Sequence, residues 1–163
     1  MNFQQKVRFD QAFGLVGEVS FDGPLRAKPG VLNSEDPANN VFGRAFTVLP
    51  DGSITAGGTG SFWGILANPK AHMFTSRIGD DGNNTLPNGV NAEFVDMAII
   101  NVEISTPTTV GSDLFYATET GALRALPPGT AAPEGHLAVP NAKVARLPQT
   151  NANGGLIVAQ LTN

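Results

Sequence analysis

Thr120-Gly121-Ala122-Leu123-Arg124-Ala125-Leu126-Pro127-Pro128-Gly129 holds the pattern that decides the fold. A glycine sits in a turn, an aliphatic residue follows two places on, and an alanine four places on. Phe21-Asp22-Gly23-Pro24-Leu25-Arg26-Ala27-Lys28-Pro29-Gly30 repeats it, with Leu25-Arg26-Ala27 matching Leu123-Arg124-Ala125. Asp51-Gly52-Ser53-Ile54-Thr55-Ala56-Gly57-Gly58 is a looser third copy. Each predicts a hairpin. Gly23, Gly52 and Gly121 supply the positive φ of a tight turn, and the aliphatic residue and alanine share one face of the outgoing strand. Leu49-Pro50-Asp51-Gly52 fits a type I turn, with proline second and glycine fourth.

The flanking sequence agrees. Strands are expected at 14–21, 44–49 and 113–118 leading into the turns, and at 62–67, 143–147 and 156–161 beyond them. All are short and rich in apolar, aromatic or β-branched residues. In Val90–Thr106, Ala98, Ile100, Val102 and Ile104 alternate with Ile99, Asn101, Glu103 and Ser105, which predicts a strand over 97–105. Phe94 and Met97 stand at helical spacing from Val90, which leaves a short preceding helix open. Residues 79–89 read as an exposed polar loop. Pro127 to Pro140 reads as an extended crossing.

The chain has 163 residues, with 19 Gly and 12 Pro spread along it. That length suits one domain over 1–163, with residues 1–12 as either an extended N-terminal arm or an ordinary first strand tied into the sheet. The breakers exclude a helical bundle. The expected class is all-β: a small β-barrel or sandwich of short antiparallel strands joined by Gly turns. No apolar run approaches a membrane span. The opening residues lack a signal peptide's apolar core, so synthesis in the cytoplasm is expected. Ten basic residues against fourteen acidic argue against a nucleic-acid partner.

No residue set carries obvious chemistry. The absence of Cys removes thiol nucleophiles and Cys-based zinc sites. Gly60-Ser61-Phe62-Trp63-Gly64 is not a nucleophile elbow, because serine directly follows the first glycine. His72 and His136 stand alone, without a nucleophile or an orienting group. Gly57-Gly58-Thr59-Gly60 lacks the Lys-Ser/Thr ending of a phosphate loop and runs into a strand. Asp80-Asp81-Gly82-Asn83-Asn84 lacks the terminal bidentate Glu of a calcium loop. No catalytic residue, metal site or cofactor is expected. Trp63 beside Phe62 is either a sugar-stacking platform or a pair of which one fills the core and the other meets a neighbouring segment or subunit.

The order of motifs resembles the structural cement, or capsid decoration, proteins of tailed bacteriophages. The likeness rests on Phe3-Gln4, Lys6-Val7, Gly14-Leu15-Val16-Gly17-Glu18 and Asp22 to Ala27. It continues through Val41-Phe42-Gly43-Arg44-Ala45-Phe46-Thr47, Ala56 to Gly60, Gly64 to Lys70, and Gly154 to Leu161. The resemblance implies a non-enzymatic virion protein on the outer capsid surface. It would bind the major capsid protein, bridge neighbouring subunits and resist the pressure of packaged DNA. A homo-oligomer, dimer or trimer, is expected on a symmetric shell. Candidate capsid or oligomer contacts are Phe3, Val7 and Phe9 in the arm, Asp80, Asp81, Asn83 and Asn84 in the polar loop, and Trp63. A head-fibre or tail component and a glycan-binding module are the alternatives.

Overall fold

The computed structural model of the protein describes residues 14–20, 23–68 and 85–163. Among them the regular structure is nine strands and one short 3-10 turn at Pro37–Asn39. The strands are β1 (Arg26–Val31), β2 (Ala45–Val48), β3 (Ile54–Ala56), β4 (Ser61–Leu66), β5 (Asn91–Ile104), β6 (Asp113–Ala117), β7 (Leu123–Leu126), β8 (His136–Asn151) and β9 (Gly154–Thr162).

The fourteen-residue β5 organises the rest. It begins at Asn91, so the stretch before the expected strand is itself strand and not helix. Ala98, Ile100, Val102 and Ile104 point inward, each 3% exposed or less. β5 pairs antiparallel with β9 from Met97 to Ile104. β9 pairs with β8, β8 with β6, and β6 with β7. β7 then returns to β5 through the parallel pair Ile104 and Leu123. These five strands close into a small β-barrel, which removes their sheet edges. The barrel interior holds Val95, Leu114, Tyr116, Val139, Val144 and Ile157 among others.

The N-terminal half of β5 leaves the barrel. There it takes β1 on one edge and β4 on the other, and β4 extends the sheet to β2 and β3. Arg26 and Ala27 face Met97 and Val95, so Asp96 is the extra residue of a bulge. A bulge changes which face the following residues take. Ala92 and Phe94 accordingly enter a second apolar cluster, while Val95 and its successors enter the barrel.

The β2–β4–β5 sheet is a wall between the two clusters. Ala45, Ile65 and Val95 face the barrel; their neighbours Phe46, Leu66 and Phe94 face the second cluster. A sheet covered on both faces has no polar side, which is why 62–67 is an almost continuous apolar run. Phe62 and Trp63 obey the same rule: Phe62 packs on the barrel core, with its ring 6.2 Å from Tyr116, and Trp63 packs on the second cluster.

Two of the three hairpins form. β2 and β3 join through Leu49–Ser53, with Gly52 at φ +85° and its N–H donating to the Leu49 carbonyl at 2.9 Å. β6 and β7 join through a turn with Gly121 at φ +69°. In both, the aliphatic residue and the alanine are buried: Ile54 and Ala56, Leu123 and Ala125.

The copy at 21–30 does not fold back. The Gly17 N–H donates to the Asn101 carbonyl, the Ser20 N–H to the Ile99 carbonyl, and Val19 bridges Ile100. β1 then continues in the same direction along the same edge of β5. Residues 14–20 already use β5 as their partner, so the next strand extends that pairing. Leu25 is left 56% exposed, where the repeat places a core residue.

One loop is shorter than expected. The Pro-rich crossing ends at Gly135, because β8 starts at His136 and pairs with β6. Pro140 lies where the β6 pairing jumps from Ala138 to Lys143, and Pro148 where the β9 pairing shifts between Arg146 and Gln149. Proline lacks a donor and sits in a strand where the ladder is interrupted. In the polar loop, the part from residue 85 is tied down. Leu86 is buried in the second cluster, and Asn88 accepts from the Ser34 N–H and Asn40 Nδ2 while donating to the Ser34 carbonyl.

Candidate interaction surfaces

Of the eight candidate contacts, Trp63 alone falls among the described residues. Phe3, Val7, Phe9, Asp80, Asp81, Asn83 and Asn84 lie outside them, as does His72. Trp63 is not an open stacking platform. Its ring is partly buried against the second cluster and covered by Lys28, whose Nζ stands 4.4 Å from the ring centroid. The indole N–H is buried without a partner among the described residues, an uncommon cost for a group that normally finds an acceptor.

Lys28 belongs to a charge cluster that the sequence did not single out. Asp96, at the β5 bulge and 5% exposed, receives Arg26 Nε at 2.7 Å, Arg26 Nη2 at 2.9 Å and Lys28 Nζ at 2.9 Å. Arg26 Nη2 also donates to the Asn163 carbonyl at 2.9 Å. The Asp96 carboxylate thus ties β1 to the bulge, while Arg26 reaches on to Asn163 and Lys28 to the Trp63 ring. Burial pushes the Asp96 carboxyl up. The hydrogen bonds from Arg26 and then Lys28, with their charges, outweigh that and hold it below the ordinary carboxylate range. The bulge that presents Asp96 arises from β1–β5 pairing, a non-local event without a local sequence signature.

β1 has no strand on its outer edge among the described residues. The Leu32 N–H donates to the Val90 carbonyl, so by alternation Lys28 and Gly30 bond toward β5 and Pro29 faces outward. Pro29 therefore removes a donor from the middle of the free edge, which blunts it against strand addition.

Beside this edge lies a small apolar groove of about 200 Å³. Val19, Leu25, Ala27, Ala67 and Val95 line it, and Glu18, Glu93 and Asn68 complete it. A larger hollow of about 460 Å³ opens where β5 and β7 part, lined by Arg44, Glu103, Gly43, Leu123 and Gly154 among others. Burial lowers the Arg44 guanidinium from its usual value, opposed by the Glu103 charge. Arg44 Nη1 donates to Asn39 Oδ1 at 2.8 Å and the Thr120 carbonyl at 3.2 Å, so it ties two loops together.

His136 Nδ1 lies 2.9 Å from the Glu134 carbonyl, a backbone contact within its own loop. Among the described residues, no group of three or more His, Cys, Asp or Glu is placed to hold a metal ion. Gly57-Gly58-Thr59-Gly60 is a docking point: the Gly57 N–H donates to the Ala45 carbonyl and the Gly58 N–H to the Thr118 carbonyl.

The described residues thus form a closed β-barrel in which Asp96 and Arg44 tie strands and loops together. Residues 3–162 match the family described as structural cement protein (E217 gp24/Pam3 gp6), and the chain belongs to that phage structural family. The fold is also that of a chain in the solved structure titled "The capsid of Myoviridae Phage XM1". The TM-score is 0.66 at 19% identity, over 97% of each chain. No curated protein matches the sequence.

Proposed function

We propose that this protein decorates the outer surface of a tailed-phage head. It binds the major capsid protein, bridges neighbouring subunits and holds the shell against the pressure of packaged DNA, without catalysis and without a cofactor. The observation that carries this reading is the family match across 3–162 of 163 residues. The fold supports it, since a closed barrel with a second packed cluster keeps its shape under load.

Strength in such a role comes from number. Each copy buries a modest area, and many copies on one lattice multiply weak contacts. The contacts are assigned to Phe3, Val7 and Phe9 of the arm, to Asp80, Asp81, Asn83 and Asn84 of the polar loop, and to copies of the chain meeting at local symmetry axes.

The test is co-sedimentation with expanded, undecorated heads of the cognate phage, followed by heating. The protein is expected to pellet with heads, saturate at a fixed ratio to the capsid subunit, and raise the temperature at which heads release DNA. Removing residues 1–9 is expected to weaken binding at least tenfold. Protein that stays in the supernatant at every concentration sinks the reading.

A further inference from the structure

We propose that the exposed face of β1, from Leu25 to Val31, docks on the capsid subunit and takes an apolar segment of it that carries a Lys or Arg. The inference rests on the decoration reading above and names a surface that does the binding.

The amphipathic pattern of β1 is reversed. A strand with one solvated face turns its apolar residues inward and its polar residues to water. Lys28 instead faces the second cluster, over the Trp63 ring and against Asp96. Gly30 shares that face, where a Cβ would meet Ile54 and Phe94. Alternation puts Ala27, Pro29 and Val31 on the other face, with Leu25 ahead of them. All four are exposed, Leu25 by 56% and Val31 by 47%. Six residue steps of about 3.3 Å make the stripe roughly 20 Å long. Apolar residues scattered singly over a surface need no explanation, whereas a continuous row marks a contact.

One charge sits beside the stripe. Glu93 stands opposite Pro29, on the same face of the sheet. It is exposed and has no side-chain partner among the described residues. A docking segment therefore gains by bringing a cation to the middle of the row.

The same carboxylate argues against a second copy as occupant. A two-fold contact uses one patch twice, and centred here it sets Glu93 against Glu93. The described cations are committed elsewhere. Arg26 and Lys28 hold Asp96, Lys143 holds Asp113, and Arg44 holds Asn39 and the Thr120 carbonyl. Arg146 is engaged as well, and Arg124 is partly buried. The described surface of another copy thus has no uncommitted, exposed cation to offer Glu93. The capsid subunit is the partner that remains.

Undecorated heads test this, with circular dichroism to check that each variant keeps its fold. Wild-type protein is expected to pellet with heads, more weakly as salt rises. Leu25→Asp combined with Val31→Asp, and separately Glu93→Lys, are each expected to raise the dissociation constant at least tenfold. Glu93→Gln is expected to make binding less dependent on salt, which a purely structural role of Glu93 does not predict. The chain has no Cys, so Val31→Cys takes a single benzophenone-maleimide label. Irradiated on heads, that label is expected to give a one-to-one adduct with the capsid subunit. An adduct between two copies overturns the inference. So does labelling within the chain alone with head binding unchanged, because the stripe is then covered by the protein itself. Wild-type protein that never pellets sinks the decoration reading and this inference with it. Wild-type protein that pellets while the stripe variants pellet equally well sinks this inference alone.

Discussion

Asp96 is held by opposed effects. Burial disfavours its charge, and Arg26 and Lys28 more than restore it. Its carboxyl titrates below its unfolded value of about 3.9. A group with a depressed folded value contributes stability that is fully present above the unfolded value and is lost as pH falls through the folded one. Urea midpoints are therefore expected to be flat from pH 7 to about 5 in this respect, and to fall below about pH 4. Asp51, exposed, and Asp113, half-buried beside the exposed Lys143, are also lowered but more open to solvent, and add less to that limb. Asp96→Asn keeps the shape and removes the charge that two cations share. It is expected to cost about 1–3 kcal/mol at pH 7, the range for lost hydrogen bonds to a charged group, and to flatten the acid limb. An Asp96→Asn protein with an unchanged acid limb shows that the loss originates elsewhere.

At the level of elements, glycine placement was readable and strand partnership was not. Gly52 and Gly121 each sit at positive φ in the turns expected of them, yet their surroundings differ. A Cβ on Gly52 meets open space, whereas one on Gly121 collides with the Ala45 carbonyl oxygen. Gly52→Ala is expected to cost about 1–2 kcal/mol, the left-handed penalty alone. Gly121→Ala adds the collision and threatens the Ala45 N–H bond to the Gly121 carbonyl, so about 3 kcal/mol or more is expected from denaturant midpoints. Equal costs at the two sites contradict this account of the junction. The copy at Gly23 has the same local letters but no hairpin, because pairing with β5 is chosen by residues some seventy positions away. The groove stayed hidden for the same reason: Leu25 and Ala27 read as a core face until the chain fails to fold back over them. Pro140 and Pro148 concealed the length of β8, since sequence marks a proline as a break and cannot see the register shift that tolerates it.

For the whole molecule, the question is whether the barrel and the second cluster unfold together. They share a wall, not a linker. Neighbouring residues of β2, β4 and β5 feed opposite cores: Ala45 and Phe46, Ile65 and Leu66, Phe94 and Val95. Neither core can lose its packing without baring one face of this sheet. The protein is therefore expected to melt in one cooperative step. Its single Trp and single Tyr make the measurement direct. Trp63 reports the second cluster by fluorescence, and Tyr116 reports the barrel by near-ultraviolet circular dichroism. Phe46, fully buried with its ring 5.1 Å from Phe94, is the perturbation to apply. Phe46→Ala is expected to cost about 3–5 kcal/mol. If the wall couples the two cores, the Trp63 and Tyr116 transitions shift together and stay superimposed. If only the Trp63 signal moves, the second cluster is an independent unit resting on the barrel.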